Sequence, residues 1–136
     1  IYRMRQYALP EYVQHVIFLG GANDILQGRR IEDISRDYKR VLEWCEEKQY
    51  SLCVVLPFIS TEQALNRQLL NLRQEAEHIC GGKAFLLDLQ PAIGLDAGAR
   101  FKAYVDGIHP KSQTYEAIGS YAAPLIWKWL KDEKEA

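Results

Sequence analysis

The sequence predicts an α/β protein: a parallel sheet in an open sandwich, covered by helices on both faces. Three observations predict it. Short apolar runs alternate with amphipathic helical patterns along the whole chain. The runs are continuous rather than alternating, as in strands buried on both sides. The order is β-α-β-α-β-α, which right-handed crossovers close into one parallel sheet.

The first run, Val16-Ile17-Phe18-Leu19, ends in Gly20-Gly21. Ile31, Ile34, Tyr38, Val41, Leu42 and Cys45 then recur at helical spacing, which predicts a helix over about 31–48. Leu52-Cys53-Val54-Val55-Leu56 is the second strand, stopped by Pro57. Ser60 with Gln63 three residues later reads as a capping box opening the next helix. That helix places Leu65, Leu69, Leu72, Ala76 and Ile79 on one face and ends at Gly81-Gly82. Ala84-Phe85-Leu86-Leu87 is the third strand, ending at Asp88, and an irregular Gly- and Ala-rich segment follows to about residue 104. The last helix is expected over about 112–131, with Tyr115, Ile118, Ala122, Leu125 and Trp129 inward.

Bulk properties exclude several classes. The 136 residues suffice for one domain with its own core. With 48% apolar and 26% charged residues, the composition is that of an ordinary globular protein. A net charge of −1 offers no basic footprint for nucleic acid or an anionic membrane. No apolar run approaches the roughly 20 residues of a membrane span. Cys45, Cys53 and Cys80 match no metal motif and suggest no disulfide framework. Cys53, inside an apolar strand, reads as a buried structural thiol. The chain begins with Ile1, and Met4 lies in a polar stretch without a signal-peptide core. The natural N-terminus is therefore expected to be missing, and the compartment stays open between cytoplasmic and secreted.

Two short segments carry chemistry. In Val105-Asp106-Gly107-Ile108-His109-Pro110, a carboxylate stands three residues before an imidazole. A neutral imidazole can take a proton from a hydroxyl when its other nitrogen is held in the donor form, and a nearby carboxylate does that. Gly107 permits a sharp turn and Pro110 fixes the exit toward the helix. Taken alone, the segment also fits a surface turn with a capping aspartate and an incidental histidine. His15 and His78 lack any such setting. The second segment is Gly20-Gly21-Ala22-Asn23-Asp24 at the end of the first strand. An amide there can donate to a developing oxyanion, worth about 3 kcal/mol of transition-state stabilisation, and Gly20 and Gly21 let the backbone approach a ligand. Taken alone, these are also ordinary turn residues. In open α/β sheets both segments would collect at the carboxyl ends of the strands.

Together and in this order, about 80 residues apart, the two segments resemble the SGNH hydrolases, the GDSL-type esterases and lipases. Gly21-Ala22-Asn23-Asp24 is similar to that family's G-x-N-D block, and Asp106-Gly107-Ile108-His109-Pro110 to its D-x-x-H-P block. Tyr115 falls near the family's aromatic residue at the start of the last helix. The resemblance covers nearly the whole chain. It implies a flavodoxin-like three-layer α/β/α sandwich that uses neither metal nor organic cofactor. It implies His109 as general base, Asp106 as its partner, Asn23 as an oxyanion donor and Gly21 in the ligand approach, with Asp24 bracing the loop. The implied activity is hydrolysis of acyl or acetyl esters of small molecules.

The family's nucleophile block, Gly-Asp-Ser, and the glycine oxyanion donor after its second strand have no counterpart here. Ser35, Ser51, Ser60 and Ser112 do not substitute for the serine. Residues 1–136 are therefore expected to be a single, N-terminally incomplete SGNH-type domain without its first two βα units. The serine is expected outside this chain, and the chain by itself to be inactive. It is expected to need a missing N-terminal segment or to self-associate. The alternatives are an SGNH-like domain that binds a ligand without hydrolysing it, and a flavodoxin-like binding module of other ancestry.

Overall fold

The computed structural model describes Gln6 and residues 9–135. Three strands, β1 (His15–Phe18), β2 (Ser51–Val55) and β3 (Phe85–Leu87), form a sheet in the order β1-β2-β3. Both pairings are parallel: Val16 aligns with Leu52, Phe18 with Val54, and Val55 with Leu87. The short α1 (Ala22–Leu26) and the long α2 (Ile31–Lys48) link β1 to β2, and α3 (Gln63–Cys80) links β2 to β3. The short α4 (Gln90–Ile93) and α5 (Ala97–Ala103) precede the last helix, α6 (Ser112–Glu135).

Alternation along β2 explains why its sequence is apolar throughout. Leu52, Val54 and Leu56 face one way and join Ile34, Tyr38, Val41, Leu69, Leu72 and Ala76 from α2 and α3. Cys53 and Val55 face the other way and join Leu87, Ala122 and Trp129 beneath α6. The result is three layers, helices on either side of a parallel sheet, as the continuous strands demand. Burial pushes the thiols of Cys45 and Cys53 up to about 11 and raises that of Cys80, so all three are inert apolar fillers at neutral pH.

Three expectations are corrected. The segment after β3 is not irregular, because α4 and α5 lie within it. Asp96 caps α5, its carboxylate accepting from the Ala99 N–H at 2.8 Å. Short helices of this kind have too few turns to leave an apolar period in sequence. Ser60 does not cap α3, since Glu62 holds the N-cap position and Ser60 lies two residues earlier, in the β2–α3 loop. Tyr115 does not point inward. It is 57% exposed, and Thr114 occupies the buried position, donating its hydroxyl to the Ala103 carbonyl at 2.7 Å. A stripe defined by Ile118, Ala122, Leu125 and Trp129 extends back equally well to 114 or 115, and the buried hydrogen bond selects 114.

Candidate active site

The carboxyl ends of β1 and β2 open into a cleft of about 370 Å³. Asn23 and Gly21 line it from the β1 side. Ile108, His109 and Pro110 line it from the loop before α6, and Pro57, Phe58 and Ser60 from the end of β2. Leu26, Leu65, Leu69 and Tyr115 complete an apolar wall.

The Asp106–His109 turn is held by the carboxylate itself. Asp106 Oδ1 accepts from the backbone N–H of Ile108 at 3.0 Å and of His109 at 2.8 Å, while Oδ2 meets His109 Nδ1 at 2.7 Å. These hydrogen bonds, the His109 N–H foremost, hold the Asp106 carboxyl down to about 2. An ionised carboxylate only accepts, so in the neutral ring Nδ1 carries the proton and Nε2 is left with its lone pair. Both side chains are exposed. The turn is clasped at its base by the Val105 N–H on the His109 carbonyl at 2.8 Å, and by the Lys111 N–H on the Ala103 carbonyl at 2.9 Å. Gly107, at φ +84°, has no room for a Cβ, because the Thr61 hydroxyl fills that space.

The Asn23 turn is held from the core. Gly21 takes φ +106°, and a Cβ there would lie 2.7 Å from Leu72 Cδ2 and 3.3 Å from Ile34 Cγ2. The Tyr38 hydroxyl donates to the Gly20 carbonyl at 2.9 Å. Asn23 then falls in the first turn of α1, exposed on the cleft. Asp24 is tied to Arg29 at 2.8 Å, and Arg29 in turn to Asp37 at 2.7 Å, which braces the segment after α1.

The sequence contains a fifth serine, Ser120, which is exposed on α6. Of the five, Ser60 is the one that lines the cleft. It is 2% exposed, and its hydroxyl is engaged with Asn66 Oδ1 at 3.1 Å and with the Glu62 N–H at 3.0 Å. Its proton is committed to an acceptor other than His109.

Sequence reasoning missed the β2–α3 loop. Residues 57–61 are held by a set of side chains distant in sequence. Arg73 donates to the Pro57 carbonyl at 2.8 Å and pairs with Asp88 at 2.6 Å. Gln90 accepts from the Ile59 N–H at 2.8 Å. The Tyr104 hydroxyl donates to the Ile59 carbonyl at 2.7 Å, and burial pushes Tyr104 up to about 12, so it stays a donor. The position of this loop just past a strand end was the only sequence signal for it. Among the described residues, no group of three or more His, Cys, Asp or Glu side chains could hold a metal ion, and no helix is long and apolar enough to cross a membrane.

No protein-family model matches the sequence, and no curated protein matches it significantly. Solved structures do match the fold. A GDSL-like lipase from Bacteroides thetaiotaomicron superposes with a TM-score of 0.73 at 13% identity, over 83% of this chain and 62% of its own. The psychrotrophic esterase EstA from a Pseudoalteromonas species, in a form inhibited by monoethylphosphonate, gives 0.69 at 20% identity over 87% and 63%. A carbohydrate esterase family 3 protein from Talaromyces cellulolyticus gives 0.68 at 17% identity over 88% and 59%. The chain therefore shares the three-layer α/β/α fold of these lipase and esterase structures, and spans about three fifths of their length.

Proposed function

We propose that this chain is the His–Asp portion of an ester hydrolase acting on acyl or acetyl esters of small molecules, in a single SGNH-type domain. The observation that carries the reading is the Asp106 carboxylate 2.7 Å from His109 Nδ1, in a cleft that Asn23 also lines. In this reading His109 Nε2 takes the proton of a serine hydroxyl as the oxygen attacks the ester carbonyl. Asp106 keeps the imidazole in the correct form and stabilises the imidazolium. The Asn23 amide donates to the oxyanion, with the backbone at Gly21 in the ligand approach. His109 then returns the proton to the leaving alcohol, and water hydrolyses the acyl–serine by the same route in reverse.

The serine is assigned to chain outside these 136 residues. Ser60 is committed to Asn66 and Glu62. The other four serines are absent from the cleft lining. The test is a fluorophosphonate probe, a reagent related to the phosphonate that inhibits the EstA neighbour. In the protein that carries this chain, the probe should modify a serine beyond residues 1–136, with p-nitrophenyl acetate as a cleaved substrate. Modification of Ser35, Ser51, Ser60, Ser112 or Ser120 would overturn the assignment. Ester binding without any labelled serine or turnover would favour a ligand-binding domain instead.

A further inference from the structure

We propose that Asn66 is a positioning residue for the Asp106–His109 pair, acting through Ser60, Thr61 and Gly107. The proposed function supplies only the purpose of the pair. The linkage itself is geometric.

Asn66 lies in the first turn of α3 and brackets one residue of the loop before it. Its Oδ1 accepts from the Ser60 N–H at 2.7 Å, and its Nδ2 donates to the Ser60 carbonyl at 2.8 Å. The Ser60 hydroxyl donates to the same Oδ1 at 3.1 Å. A side-chain amide thus pairs with Ser60 as a neighbouring strand would. Arg100 Nε adds a second donor to the Ser60 carbonyl at 3.1 Å. Ser60 is buried while Asn66 and Arg100 are half-buried, so the polar atoms of Ser60 have little recourse to water, and breaking the set leaves them unsatisfied. The backbone through Ser60 is fixed by this pairing, and the next N–H, that of Thr61, donates to the Gly107 carbonyl at 3.1 Å. The Thr61 hydroxyl packs against the bare α-carbon of Gly107. Gly107 follows Asp106 directly and precedes Ile108, whose N–H is bound by the Asp106 carboxylate.

The pair needs such an anchor because of where it sits. Asp106 and His109 are more than half exposed, and hydrogen bonds between exposed groups contribute little order against competing water. A catalytic imidazole needs its rotamer and protonated nitrogen set before substrate arrives. Among the described residues, the Thr61–Gly107 hydrogen bond links the turn to the buried loop, and Asn66 fixes the loop end of it.

The test reads the tautomer of His109 by imidazole nitrogen NMR on the 15N-histidine-labelled full chain at a pH where the ring is neutral. His15 and His78, the other two histidines, serve as internal controls. In the unmodified protein His109 should be mainly the Nδ1–H form. Asn66→Ala should lower the Nδ1–H to Nε2–H ratio of His109 about fivefold, the equivalent of one net hydrogen bond. Thr61→Pro, which removes the N–H that reaches Gly107 together with the hydroxyl packed on it, should give a similar fall, and the double variant little more. The controls should not move. An unchanged His109 ratio in either folded variant overturns the proposal, and so does a parallel shift of His15 and His78, which would mark general loosening. Should Asn66→Ala fail to fold, Thr61→Pro decides alone. A Thr61 amide that exchanges with solvent as fast as in a free peptide also overturns it, without any variant. The readout needs no substrate, so failure of the hydrolase reading would show separately, as absent turnover.

Discussion

Replacing Gly21 by alanine should cost the fold more than an ordinary turn substitution. Gly21 takes φ +106°, a region that L-residues rarely enter, at a cost of about 1–2 kcal/mol. The new methyl would also sit 2.7 Å from Leu72 Cδ2 and 3.3 Å from both Ile34 Cγ2 and the Tyr38 hydroxyl. Leu72 and Tyr38 are almost fully buried, so neither can swing into solvent. Overpacking of this kind costs about 1–3 kcal/mol. The two effects sum to about 2–5 kcal/mol, a large part of a typical domain stability of about 5–15 kcal/mol. Urea denaturation followed by far-UV circular dichroism measures it as a fall in midpoint. A double-mutant cycle separates the causes. Leu72→Ala alone should cost about 2–5 kcal/mol. Combined with Gly21→Ala it should be less destabilising than the sum by about 1–3 kcal/mol, because the alanine methyl enters the vacated space while the backbone strain persists. A loss below about 1 kcal/mol for Gly21→Ala, or strict additivity with Leu72→Ala, would refute the packing account of this turn.

Three further outcomes are expected. The Asp106 carboxyl should titrate well below the ordinary 3.8, near 2, with the amide shifts of Ile108 and His109 moving alongside; because the folded value is depressed, the stability it lends the turn is complete above about pH 4 and is lost as pH falls through about 2, and an NMR midpoint of 3.8 or higher would contradict the geometry. His109→Ala, in the protein that carries this chain, should lower ester turnover by about 10³-fold or more, since an unactivated serine is a poor nucleophile at neutral pH; steady-state kinetics with full retained turnover would rule His109 out as the base. The 136-residue chain alone should form no fluorophosphonate adduct and should associate, because the edge strand β1 exposes Ile17 by 50% and is followed by Leu19 exposed by 59%; light scattering should report mass above the monomer, relieved by Ile17→Lys, and a monomeric unmodified chain would contradict this.

The sequence by itself determined the layered α/β class, the three strands and the long helices. These rest on local periodicity, and strands buried on both faces have no other pattern available. It also made the Asp106–His109 contact legible, since a carboxylate three residues before an imidazole, with glycine between them, can reach the ring across a tight turn. The convergence of Asn23 and His109 on one cleft follows from topology, because parallel strands deliver their carboxyl ends to the same edge. Tertiary structure decided what short-range pattern cannot encode. Ser60 looked like a cap, but Asn66, six residues on, and Arg100, forty residues on, claimed its backbone instead. The inward position on α6 went to Thr114 because a buried carbonyl at Ala103 needed a donor. Gly21 lines the cleft, as a residue in the ligand approach would. Its glycine is required by Leu72, Ile34 and Tyr38 from distant helices, whose packing leaves no space for a side chain. In each case the deciding contact spans a sequence separation over which periodicity carries no information, and burial makes its satisfaction obligatory.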